Sequence, residues 1–355
     1  MKIRSPLLAL TTFICMTSIN WTPDEIGIRL SDSEVVKLHG TDVTPVLDHA
    51  VPKGQNVLWC ASFQMAWDDS ANHFGRPMKL TPDSQLADKL NQHPFDRRWV
   101  DDDSVFTAQG LVDEGVFDRI DQGVQKRTGS PSKLLDQIKP GSAPNDLVFF
   151  ALLQKDLQFP QPFGQLGSCR MGDKTVPWFG FMPQMKDAES MRQQVLVHHH
   201  AAKDDFVIEL ICKQTGDQLL LAKLPDTPKT MAGMSESVLK RLRADAPSAG
   251  GADLLAVPNV IVDEAAAFEE LQDKTVVGTT RFIRHALQSI EFQMNEDGVK
   301  LRSEANVSFG CSKAVEVNPR LMILEPPFAI VMKRKEAPQP YFAAWIANAD
   351  LLEAK

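Results

Sequence analysis

Cysteine is scarce: five in 355 residues, at positions 15, 60, 169, 212 and 311, with no two at C-x-x-C spacing. This excludes a disulfide-packed miniprotein and leaves a zinc ribbon or thioredoxin-like redox centre unsupported. Thiols this widely spaced fit buried free cysteines at least as well as bridges. Positive charge is in deficit, with 38 Lys and Arg against 46 Asp and Glu and a formal net charge of −8. A broad electrostatic grip on nucleic acid or anionic lipid is therefore excluded. No uncharged apolar run reaches the ~18–20 residues of a bilayer-spanning helix. There is no Gly-rich phosphate loop, no HExxH, no GxSxG elbow at Ser62 or Ser168, no internal repeat and no low-complexity tract. What is present is an ordinary globular composition, 43% hydrophobic and 24% charged. The length suits one large domain or two ordinary ones.

The N-terminus has the order of an export signal. Lys2 and Arg4 precede the mostly apolar, uncharged stretch 6–19. No small-x-small pair stands near Ile19, and Cys15 lacks the small residues that precede a lipoprotein cysteine. We expect a signal peptide over 1–22, one domain over 23–355, and a secreted or periplasmic protein. The alternative is a buried first helix or strand of a cytoplasmic one.

Patterning then places the elements. Residues 56–67 read as a strand end running into a helix. Val116, Phe117, Ile120 and Val124 recur at helical spacing and stop at Thr128-Gly129. Residues 147–153 form a continuous apolar run, the mark of a buried strand. Two β-type runs, 206–212 and 219–224, flank Thr215-Gly216-Asp217 and predict a hairpin. Residues 238–242 read as a short amphipathic helix, 246–251 as a surface loop, 254–262 as a strand, and 265–271 as a helix. Residues 290–294 form a short alternating strand. Over 299–309 the alternation is strict: Val299, Leu301, Ser303, Ala305, Val307 and Phe309 face one way and Lys300, Arg302, Glu304, Asn306 and Ser308 the other. Residues 328–332 and 341–346 form a final strand pair. Helices dominate the first half and strands the second, which predicts an α+β fold.

Read in order, these segments resemble the serpins, the serine protease inhibitor family. Ile120-Asp121 through Val124 to Thr128 is similar to the family's Ile-Asn-x-Trp-Val helix. Lys133-Leu134-Leu135-Asp136 sits at its Lys-Ile-x-x-Leu stretch. Asp146 to Lys155, closing on Pro162-Phe163, resembles its long central strand. Asn295-Glu296-Asp297-Gly298 resembles its acidic-acidic-Gly hinge, and Pro327-Phe328 onward its closing strand pair. The collinear matches cover roughly 45–355. The resemblance implies three mainly antiparallel sheets with about eight or nine helices. It also implies a reactive loop that inserts into the central sheet after cleavage by a serine or cysteine protease.

By the resemblance, Glu296, Asp297, Gly298, Val299, Leu301 and Ser303 are the hinge. Asn56, Cys60, Ser62 and Gln288 stand at the polar cluster that gates the sheet. Phe309, Gly310, Cys311, Ser312 and Lys313 are reactive-loop candidates within 309–318, while Arg320 stands close to Pro327 for a scissile residue. Several positions depart from the pattern. Val299, Lys300, Leu301 and Arg302 replace a run of small hinge residues, and overpacking at Leu301 would cost about 1–3 kcal/mol. Gly298 and Pro327 are 29 positions apart, which reads as a shortened loop. Cys60-Ala61 replaces Ser-Pro, Phe150 an Asn, Gly123 a Trp, and Gln288 a His, with His285 three positions upstream. These departures favour weak or lost inhibition and a binding role, with a functional suicide inhibitor as the alternative.

One segment points elsewhere. Gln55 to Met65 resembles the start of papain-like cysteine peptidases, with Cys60 as nucleophile and His198, His199, His200 or His285 as base. Three adjacent histidines on a strand cannot share one face, so a metal site there is disfavoured. Asp101, Asp102 and Asp103 lack the Gly and terminal Glu of a calcium loop and read as a solvated acidic turn. The expectation is a monomeric serpin-like protein without enzymatic activity, cofactor, metal, nucleic-acid partner or membrane span. Its partner is a protease if it inhibits, and otherwise an unidentified ligand or protein.

Overall fold

The computed structural model of the chain describes residues 40–214, 216–300 and 320–354. A seven-stranded sheet carries most of the core. Its order is β1 (Thr41–Thr44), β2 (Asn56–Cys60), β19 (Phe342–Ile346), β18 (Phe328–Arg334), β11 (Asp217–Lys223), β10 (Asp205–Leu210) and β9 (Val195–Ala202). Only β1 and β2 run parallel. Every residue of β2 and β19 is buried, as continuous apolar runs covered on both faces require. A second sheet orders β17 (Leu321–Ile323), β12 (Leu254–Pro258), β8 (Lys174–Phe181) and β7 (Gly164–Met171).

The third layer is divided. On one side stand β13 (Val260–Ala267), β15 (Leu287–Asn295), β16 (Gly298–Lys300) and β6 (Asp156–Gln158), hydrogen-bonded in that order. On the other, β4 (Val105–Leu111) pairs with β5 (Leu147–Leu153), and among the described residues with no further strand. A two-stranded ribbon joins β3 (Leu80–Thr81) to β14 (Thr275–Val276).

Among the described residues there are six α-helices, fewer than the eight or nine expected: α1 (Ser62–Phe74), α2 (Gln85–Leu90), α3 (Val116–Thr128), α4 (Lys133–Ile138), α5 (Ala188–Gln193) and α6 (Met231–Leu239). Four short 3-10 turns accompany them. Helix α1 packs on β5 and β15, and α3 lies over β4 and β5. The buried side of α3 is Val116, Ile120 and Val124, one residue per turn, and left-handed Gly129 ends it. No helix among the described residues is long and apolar enough to cross a membrane.

Three sequence expectations change. The helix placed at 238–242 is α6 and starts seven residues earlier, because Thr230 caps it by accepting from Gly233 N at 3.0 Å. Its buried side is Met231, Met234 and Val238, a stripe that Gly233 disguised. Residues 265–271 are not helical: β13 continues to Ala267, paired with β15 from Val260–Met294 to Ala267–Leu287, and the chain then turns, with Leu271 N donating to Phe268 O at 3.0 Å. An alanine run has no β signature of its own, and the ladder overrides its helical propensity. Strand β5 lies where expected but is only half buried, since one of its edges faces a cleft. Residues 1–39, and with them the expected signal peptide, lie outside the described residues.

Candidate functional site

The site grows from the end of β15. Its even-numbered residues Gln288, Ile290, Phe292 and Met294 point into the core. Glu296 and Asp297 then make a two-residue turn, and β16 returns antiparallel with Asn295 opposite Gly298 and Met294 opposite Val299. The far edge of β16 pairs with β6, Gly298 against Gln158 and Val299 against Leu157. The turn is fastened from outside. Phe163 N donates to Glu296 O at 2.9 Å, and Phe159 N donates to Asp297 O at 3.0 Å. Asn295 Oδ1 accepts from Asp297 N at 3.1 Å, and the Gln165 amide donates to the Glu296 carboxylate. Gly298 has φ +154°, and a Cβ there would strike the Leu157 carbonyl, so only glycine fits. Val299 is fully buried in the main core. The hinge candidates Glu296, Asp297, Gly298 and Val299 thus form one seated turn and strand. Leu301, Ser303 and the loop candidates Phe309, Gly310, Cys311, Ser312 and Lys313 lie outside the described residues.

Below β16, β5 and β15 face one another and share no ladder bond among the described residues. Between them run two cavities. The upper, about 150 Å³, is lined by Ser62, Leu153, Lys155, Phe292, Tyr341 and Phe342. The lower, about 410 Å³, lies between α1 and the starts of β5 and β15.

The candidates for the gating cluster are only partly brought together. Gln288 Nε2 donates to Cys60 O and to Ser62 Oγ, both at 3.0 Å. Because Cys60 O can only accept, this fixes the amide orientation and leaves buried Gln288 Oε1 without a partner. Ser62 Oγ also lies 3.7 Å from Cys60 Sγ. Asn56 belongs to another network, at the opposite end of β2. It donates to Asn348 Oδ1 at 2.7 Å and accepts from Ala347 N and Asn348 N. The other departures compensate one another. A Cβ at Gly123 would collide with the Phe106 ring, and Phe106 in turn packs on Phe150 at 6.1 Å. An aromatic pair occupies the space that the resemblance assigns to Trp and Asn.

Cys60 is not built as a nucleophile. Burial pushes its thiol pKa up, against hydrogen bonding from Ser62 and Ala61, whereas an activated cysteine needs the reverse. None of the four candidate histidines reaches it. His198 lies 3.1 Å from Glu209 and accepts from Arg243 N at 3.1 Å, and His199 pairs with Asp205. His200 stacks on Phe206, and His285 lies over Gly141. The peptidase alternative therefore lacks its dyad. The described cysteines 60, 169 and 212 are buried, and no cluster of metal-ligating residues occurs among the described residues.

Sequence reasoning missed the charged clasp at the top of the cleft. Lys155, between β5 and β6, donates to Asp101 Oδ2 at 2.7 Å and to both oxygens of Asp217 at 2.9 and 3.0 Å. Arg334 pairs with Asp101, and the Lys155 ammonium lies 5.1 Å from the Tyr341 ring centroid. Asp101 is therefore a tether rather than part of a solvated turn, while Asp102 fits the expectation with a fully exposed side chain. The available signal was a lone lysine closing the apolar run 147–153. Burial raises the Tyr341 phenol pKa well above its usual value. Burial, with Asp217 and Glu209, pushes the Cys212 thiol up to about 12.

The other border of the segment 301–319 is also fixed. Arg320 donates from its backbone and guanidinium to Asp253 at 2.5–3.1 Å, and Leu254 N donates to Arg320 O at 3.1 Å. Arg320 is thus engaged in an ion pair and is not a free recognition residue.

A scan against protein families and a search of curated proteins find no match. Solved structures do match, at low identity and over most of the chain. Thyroxine-binding globulin in complex with thyroxine aligns at 12% identity, over 84% of this chain and 94% of its own, with a TM-score of 0.54. A tumour-suppressing serpin aligns at 11% identity, over 82% and 92%, with a TM-score of 0.53. The mouse protein-Z-dependent protease inhibitor aligns at 12% identity, over 82% and 91%, with a TM-score of 0.50. With the divided central layer, the turn that seats β16 in it and these likenesses together, the chain has an α+β, serpin-like fold.

Proposed function

We propose that this chain is a serpin-type scaffold whose loop strand enters the central layer without prior cleavage, leaving protease inhibition weak and a binding role in its place. The observation that supports this most is the seat of β16 in an intact chain, with Val299 fully buried between β15 and β6. A β-branched residue is thus accommodated at the entrance, where the resemblance implies small ones. The ladder of β6 onto β16 sets Val299 opposite Leu157 and Lys300 opposite Asp156, so the chain enters the layer in register with β6. The strict alternation of the sequence 299–309 is the pattern that a strand continuing in that direction needs. A strand seated before cleavage has released part of the energy that trapping a protease requires.

In this reading, residues 1–22 serve as an export signal and the partner is a ligand or protein other than a trapped protease. The second reading, a suicide inhibitor of a serine or cysteine protease, is favoured by the same cleft if 301–309 stays out until cut. Incubation with trypsin, chymotrypsin and elastase separates the two. We expect cleavage within 301–319 and continuing protease activity. A 1:1 complex stable in denaturing gel electrophoresis would overturn the proposal and establish the trap.

A further inference from the structure

The lower cavity has a chemistry of its own. At about 410 Å³ it lies within the range of small-molecule sites. Its apolar wall is built by Phe63, Trp67 and Phe74 from α1, Phe149 from β5, and Ile283, beside polar Ser70, Asn145, Thr280 and Gln288. Its titratable lining residues are Asp146, Arg281, Arg284 and His285. All four precede the starts of β5 and β15, so they gather at one end. Arg284 is committed to Asp146, with Nε 2.6 Å from Oδ2 and Nη2 3.2 Å from Oδ1. Arg281 donates to the Asn145 carbonyl at 3.0 Å and has no carboxylate partner among the described residues. Among the described residues, one positive charge without a carboxylate partner thus lines the chamber, in a chain of net charge −8.

We infer that this chamber binds a single-chain anionic amphiphile, of the long-chain carboxylate class, with its tail among the aromatic side chains and its head group on Arg281. An apolar tail supplies affinity through burial, and the guanidinium supplies choice of head group through a charge-assisted pair.

The test uses the intact chain and 9,10-dibromostearate, whose bromines quench a tryptophan they touch. Saturable quenching is expected, displaced by stearate and absent in Trp67→Phe. Arg281→Gln should weaken binding tenfold or more, as should replacing stearate by octadecanol. Across shorter carboxylates each methylene should add roughly three- to fourfold in affinity. Ala66→Trp, which narrows the chamber from α1, should abolish binding while the thermal transition is kept. The proposal is overturned by absent saturation, by equal affinity for octadecanol, or by an unchanged Arg281→Gln variant.

Discussion

At the scale of single residues, the entrance to the cleft depends on Gly298. Its positive φ and the carbonyl of Leu157 leave no place for a Cβ. Gly298→Ala should cost about 1–3 kcal/mol and speed amide exchange at Val299 and Lys300. Unchanged protection there would mean that β16 is not held by this turn. At the far border, burial works against the charge of Asp253, but Arg320 and the backbone N–H groups of Gly250 and Arg320 outweigh it and hold the pKa below 3.8. A depressed carboxylate stabilises the fold above its unfolded pKa and loses that contribution as pH falls through the folded one. Asp253→Asn should therefore lower stability by about 1.5–3 kcal/mol near neutral pH and by less below about pH 4. Urea midpoints at pH 7 and pH 3.5 read this directly, and an equal loss at both would contradict it.

At the scale of elements, the strongest periodicities were legible and the gaps between them were not. Residues 147–153 form β5 as the apolar run required, and Val116, Ile120 and Val124 form α3 up to Gly129. The start of α6 was hidden by a glycine, and the end of β13 by three alanines that only the ladder to β15 holds extended. The site was half legible. Cys60, Ser62 and Gln288 meet, because a β15 side chain facing inward reaches the start of α1. Asn56 stands four residues back on β2 and is claimed by Asn348. The clasp of Lys155 to Asp101 and Asp217 joins residues 54 and 62 positions apart, a distance no local pattern records. A cleft between two strand edges is likewise a property of the pair, written in neither sequence. A strand that continued in the register of β15 with β16 would bring position 304 opposite Ser289. A Ser289→Cys, Glu304→Cys double variant should therefore form a disulfide in the uncut chain under mild oxidation. Free thiols at both positions would show that the strand does not enter before cleavage.

At the scale of the whole molecule, the division of the central layer decides how much energy is left to release. The turn at 296–297, the β16 ladder and the buried Val299 place the first part of a new strand in the intact protein. Aromatic packing of Phe106 on Phe150 and against Gly123 stands where the resemblance implies a polar lock. A central layer whose polar contacts at this point are reduced to Gln288 with Cys60 and Ser62, and with its strand already started, resembles a partly relaxed spring. The most direct measurement is a thermal melt before and after limited proteolysis within 301–319. The account expects the transition to move by only a few degrees, because cutting frees little that is not already seated. A rise of about 20 °C or more, at roughly 2–4 °C per kcal/mol, would mean that the strand enters only when cut. The protein would then be a loaded protease trap, contrary to the function proposed here.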